Sequence, residues 1–130
     1  MSVIPAKVRD LVLKRDHYRC VINGPGCTVT ATVADHRANR AMGGSRILND
    51  PANLIASCIL CNGEKENAHG DRLVELKRRG VRVIPDATHA KTLLRAQITP
   101  VEYPDGTVAL LTSSGLRLVQ VQILADRSAS

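Results

Sequence analysis

Apolar residues after Pro5 recur at Val8, Leu11 and Val12, with Lys7, Arg9, Lys14 and Arg15 mainly off that side. This spacing predicts an amphipathic helix from Pro5 to about Asp16, with Pro5 as its first residue, where a missing N–H costs nothing. The run Asn23-Gly24-Pro25-Gly26 between Cys20 and Cys27 has no periodicity and reads as a turn. Thr28 to Asp35 is rich in Thr and Val and predicts a strand ending at Asp35-His36. Arg37 to Asp50, with Gly43-Gly44, reads as a loop, and Pro51 to Cys58 as a second strand around Leu54-Ile55-Ala56. A helix is expected from the Cys61-Asn62 turn through Lys65 and Glu66. Another spans Asp71–Arg79, capped by Asp71 and stopped by a left-handed Gly80. Beyond Pro85-Asp86, Ile98–Tyr103, Thr107–Leu111 and Leu116–Ile123 look like strands of an antiparallel meander. Their connections, Pro104-Asp105-Gly106 and Ser113-Ser114-Gly115, are good turn sequences. The expected fold is α+β, divided into residues 1–80 and a β-rich extension, 81–130.

Charge and composition add a partner class and a structural problem. The chain has 130 residues and a net charge of +6. Residues 1–80 hold 13 Lys/Arg against 8 Asp/Glu, and residues 81–130 hold 5 against 4, so the positive charge sits in the first part. That suits a polyanion. There is no Phe or Trp, and Tyr18 and Tyr103 are the only tyrosines. Single-strand binders stack bases on aromatic rings, so duplex or branched DNA is the better match, with little sequence specificity. A core without large rings also benefits from a metal staple. No apolar leader and no membrane-length run is visible, so the expected location is cytoplasmic.

Cys20 and Cys27, then Cys58-x-x-Cys61, supply two thiol pairs. Disulfides belong to oxidising compartments, whereas two such pairs in a cytosolic chain read as a zinc site. Four thiolates saturate tetrahedral zinc and leave no position for water or substrate, so the zinc is structural. A thiol redox centre at Cys58 and Cys61 would need neither the second pair nor Asp35-His36.

Together, Cys20, Cys27, Asp35-His36, Gly43-Gly44, Asn53-Leu54, Cys58-Ile59-Leu60-Cys61-Asn62 and Lys65 resemble the HNH, or ββα-metal, endonuclease family over about a third of the chain. The resemblance implies a zinc-stapled ββα-metal core with flanking helices. Asp35 and Asn62, with Glu66 as a further carboxylate, would hold one catalytic Mg²⁺ or Mn²⁺, since hard cations prefer oxygen donors. His36 would take the proton of the attacking water. Asn53 would hydrogen-bond the loop backbone and keep His36 in register. Arg37, Arg40, Arg46 and Lys65 are the candidate contacts to DNA phosphates. The chain departs from the family at Asn62, where the eponymous second histidine is missing. Small stand-alone relatives are frequent in bacteriophages, and some work beside the packaging terminase, which implies a terminase subunit as partner.

The expected activity is metal-dependent hydrolysis of DNA phosphodiesters by one metal ion and a histidine base. The alternative is a zinc-stapled DNA-binding or terminase-associated assembly protein whose catalytic site is degenerate.

Overall fold

Pro5 stands just outside the first helix, its ring holding φ at −59°. Helix α1 runs Ala6–Arg15 in a computed structural model that describes residues 3–39 and 46–120. Its inward residues are Val12, Leu13 and Arg15. Leu11, expected on that side, is 40% exposed and packs against Gly115 of the C-terminal hairpin instead. The helix stops in two left-handed residues, His17 (φ 58°) and Tyr18 (φ 57°), which reverse the chain into the cysteine turn.

Strand β1 is Val33–His36, shorter than expected, because residues before it are drawn into the turn by an Arg19–Thr30 bridge. It pairs antiparallel with β2, Leu54–Ser57, so that Asp35 lies opposite Ile55 and His36 opposite Leu54. Two 3-10 turns, Ile47–Asn49 and Pro51–Asn53, occupy the latter part of the predicted loop. Gly43-Gly44 and Arg40 fall outside the described residues. Helix α2, Ile59–Asn67, begins two residues earlier than expected because the Cys58 sulfur caps it by accepting the Cys61 N–H. β1, β2 and α2 make a ββα unit.

Helix α3 is Gly70–Arg78. Asp71, expected as the cap, lies in its first turn two residues beyond His69, which is the cap residue. Gly80 (φ 72°) ends this segment. Any Cβ there would collide with the Pro100 carbonyl, so the position needs glycine for space as well as for conformation.

Helix α4, His89–Ile98, is absent from the sequence expectation, and it takes the first residue of the predicted strand Ile98–Tyr103. The Thr88 hydroxyl accepts the Lys91 N–H and caps it. The three-stranded meander follows as expected: β3 Val101–Glu102, β4 Val108–Leu111 and β5 Arg117–Val119, paired in that order. The part predicted beyond Gln120 lies outside the described residues.

One cluster of buried side chains joins Leu13, Val21, Ile22, Ile55 and Leu76 to Val101, Tyr103 and Leu111. Polar contacts run the same way. Tyr103 donates to the Asp16 carboxylate at 2.7 Å, and Asp16 also accepts the Ala56 N–H at 3.0 Å. Arg79 donates to the carbonyls of Val21, Ile22 and Glu102. Residues on the two sides of position 80 therefore share one cluster of buried side chains.

Candidate functional site

The four cysteine sulfurs lie within 4.8 Å of one another, and none is in a disulfide. Tetrahedral zinc with Zn–S bonds of about 2.3 Å sets its sulfurs ~3.8 Å apart, so small rotamer changes would close this cluster on an ion. Backbone N–H groups already point at the sulfurs: Gly24 to Cys61 at 3.3 Å and Val29 to Cys27 at 3.3 Å. Val29 holds φ at 70°, unusual for a β-branched residue. It is kept there from both ends, since its carbonyl accepts the Cys20 N–H at 2.7 Å while its own N–H serves Cys27. Arg19 places a guanidinium nitrogen 3.8 Å from Cys27 Sγ, beside the negative charge four thiolates would carry. Burial pushes the Cys58 thiol up, but hydrogen bonds from Thr28 and Cys61 outweigh it and bring the group to about 6. The cluster can hold a zinc ion with no open coordination position.

Asp35, at the end of β1, is 5% exposed and faces α2. Its Oδ2 lies 3.5 Å from the Lys65 ammonium but receives no hydrogen bond among the described residues. Burial pushes the Asp35 carboxyl up to about 6; Lys65 pulls it back and the nearby Glu66 charge adds to the rise. Lys65 is itself fully buried and donates to the His36 carbonyl at 3.0 Å and to Glu66 at 3.3 Å. Asn62 is half-buried and precedes Lys65 and Glu66 by three and four residues, which sets all three on one side of α2. The His36 ring has a different partner, with Nε2 2.8 Å from Asn49 Oδ1.

Asn53 is completely buried and works on backbone. Its Oδ1 accepts the Ala38 N–H, and its Nδ2 donates to the carbonyls of Ala38 and Leu48. Its own carbonyl accepts the Arg37 N–H. The chain on both sides of the incompletely described loop is thereby fixed to one side chain.

Two expected DNA contacts are corrected by burial. Arg37 is 0% exposed, and its guanidinium is spent on the carbonyls of Gly80, Ala52, Ala96 and Thr99. Lys65 has no exposed surface to offer a phosphate because its ammonium is held by Asp35, Glu66 and the His36 carbonyl. Arg46 is exposed and lines a groove of about 480 Å³ with Val3, Pro5, Val8 and Asn49. Arg40 lies outside the described residues. Asn49 escaped the sequence reading, since a polar residue ahead of Asp50-Pro51 has every mark of a plain turn.

A 69-residue stretch, 52% of the chain, is 42% identical to the Gene 4 protein of Mycobacterium phage L5. The stretch covers 64% of that phage protein, less than two thirds of its length. No family model matches the chain. No solved structure matches it either. No helix among the described residues is long and apolar enough to cross a membrane.

The Asp35 environment has a measurable consequence. A carboxyl raised from 3.8 to about 6 favours the fold when protonated, and that contribution is lost as pH rises through the folded value. At about 1.4 kcal/mol per tenfold, ionised Asp35 costs the metal-free fold on the order of 2–3 kcal/mol at neutral pH. Asp35→Asn is therefore expected to stabilise the protein in the absence of divalent cation. Urea titrations should give equal midpoints for variant and parent near pH 4, diverging in favour of the variant by pH 7. A constant difference across that range would contradict the assignment.

Proposed function

We propose that this protein is a metal-dependent DNA endonuclease of the HNH type. The observation that carries the reading is Asp35 Oδ2: a buried carboxylate oxygen without a hydrogen-bond donor among the described residues, beside His36 and facing α2 across a cysteine-framed ββα unit. An unsatisfied buried carboxylate oxygen is costly unless a cation completes it. Asp35, Asn62 and Glu66 are the oxygen donors available to a Mg²⁺ or Mn²⁺ ion, a set that suits hard cations. When bound, that ion supplies charge stabilisation to a phosphodiester and its leaving oxygen. His36 accepts the proton of the attacking water, and Asn53 keeps the backbone leaving His36 in place through its bonds to Ala38 and Leu48. Arg46, exposed in the groove next to Asn49, is positioned to neutralise a DNA phosphate. The phage origin of the similar protein fits a role in phage DNA processing, with a terminase subunit as a candidate partner.

Supercoiled plasmid with Mg²⁺ or Mn²⁺ provides the test. The protein should nick it, and His36→Ala should slow nicking by about 10²–10⁴-fold, the usual contribution of a general base, while His69→Ala leaves the rate unchanged.

Lys65 favours a second reading, because its ammonium already neutralises Asp35 from within the protein. On that reading the chain is a zinc-stapled DNA-binding or assembly protein with a disabled site. Retention of plasmid without nicking under either metal would select it.

A further inference from the structure

The contact between His36 and Asn49 gives a specific job to a residue outside the motif. We propose that Asn49 is a positioning residue that holds the His36 imidazole in its Nε2–H tautomer, making Nδ1 the basic nitrogen. The inference rests on the nuclease reading for its catalytic meaning, but not for its geometry.

Asn49 ends the 3-10 turn Ile47–Asn49 and is 7% exposed. Its Oδ1 lies 2.8 Å from His36 Nε2. An amide oxygen can only accept and an amide nitrogen can only donate, so the orientation of the amide decides which ring nitrogen carries hydrogen. That orientation is set from the other end. Asn49 Nδ2 faces the Val3 carbonyl at 3.4 Å, and a carbonyl can only accept. The oxygen is thus left to His36, whose Nε2 must be the donor. In a neutral imidazole the lone pair then resides on Nδ1.

The turn that carries Asn49 is itself pinned. Leu48, next to Asn49, gives its carbonyl to Asn53 Nδ2 at 3.0 Å, and the Asn49 N–H bonds the Arg46 carbonyl at 3.2 Å. Asn53 also holds both backbone groups of Ala38, two residues past His36. One asparagine therefore fixes the backbone near His36 and the turn presenting its partner, and the other asparagine fixes the ring. A ring free to rotate would present its acceptor nitrogen to a water only part of the time.

The test uses the full chain with two readouts. In wild type, the His36 Nε2–H proton should be visible by NMR in slow exchange with water, and in Asn49→Leu it should vanish. In the plasmid assay Asn49→Leu should nick about 10–100-fold more slowly with unchanged DNA affinity. Asn49→Asp, which keeps the acceptor, should stay within a few-fold of wild type. Persistence of the Nε2–H resonance in Asn49→Leu, or a proton on Nδ1 in wild type, would overturn the proposal. So would equal nicking rates for Asn49→Leu and Asn49→Asp. If wild type never nicks DNA, the nuclease reading fails while the resonance still decides the role of Asn49.

Discussion

Stripping zinc from the purified protein is expected to unfold it at room temperature. Zinc analysis should first find one equivalent per chain. The thiol cluster joins the turn at Cys20 and Cys27 to the junction of β2 and α2 at Cys58 and Cys61, and three of these four residues lie in the buried core. Without an ion the four sulfurs lose the ligand that would tie them together, and the turn with the left-handed residues Asn23 and Val29 is left with only its own hydrogen bonds. The damage would spread, because the carbonyls of Val21 and Ile22 in this turn are acceptors for Arg79. Structural zinc contributes ~10–16 kcal/mol of apparent binding free energy, comparable to the ~5–15 kcal/mol that holds a whole domain. Circular dichroism during titration with a strong chelator under reducing conditions should show loss of helix in step with zinc release, reversed by adding zinc back. Cys58→Ser should behave like the stripped protein. A chelated, reduced chain that keeps its urea midpoint would refute the staple.

Replacing Arg37 by Ala should cost about as much as a small domain can lose. Four of its N–H donors reach carbonyls from three separate segments, at Gly80, at Ala52, and at Ala96 and Thr99 of α4 and its end. Burial, with help from the Arg15 charge, pushes the guanidinium down to about 9, which leaves it cationic at neutral pH. Removing it orphans buried carbonyls at ~1–3 kcal/mol each and opens a cavity, so a loss of ~4 kcal/mol or more is expected. Arg37→Lys should recover only part, because three donors on one nitrogen cannot span four acceptors held by a planar fork. Urea denaturation of the two variants measures both effects. If Arg37→Ala shifts the midpoint no further than an exposed-site variant such as Arg9→Ala, the guanidinium is not a structural centre.

The contrast between these two centres marks what can be read from a chain. Cysteines declare their role by spacing, and turn residues such as Gly80 declare theirs by conformation. The meander was legible for the same reason: its strands and turns are set by local chemistry and short-range pattern. Arg37 gave no such signal. An arginine beside Asp35-His36 in a basic segment suggests a phosphate contact, and only the arrival of α4 and Gly80 around it makes it interior. Helix α4 was hidden because Leu94 and Ile98 face solvent, which blurs the apolar stripe of Thr92, Leu93 and Ala96. In the candidate site, Asp35, His36 and Asn53 stood out through the resemblance of the whole pattern to the HNH family. Asn49 and the burial of Lys65 did not, since both depend on contacts across the fold rather than along the sequence.

The reach of these guanidinium and hydroxyl contacts bears on how the protein is made. Arg37 waits for carbonyls 59 and 62 residues further along, and Asp16 for a hydroxyl 87 residues away. At ~5–20 residues per second, a ribosome needs roughly 3–12 s after Arg37 to add Thr99. Throughout that interval the Arg37 guanidinium lacks the two acceptors that it takes from α4 and its end. The four cysteines, complete at Cys61, are all made before those acceptors and are available to a zinc ion throughout.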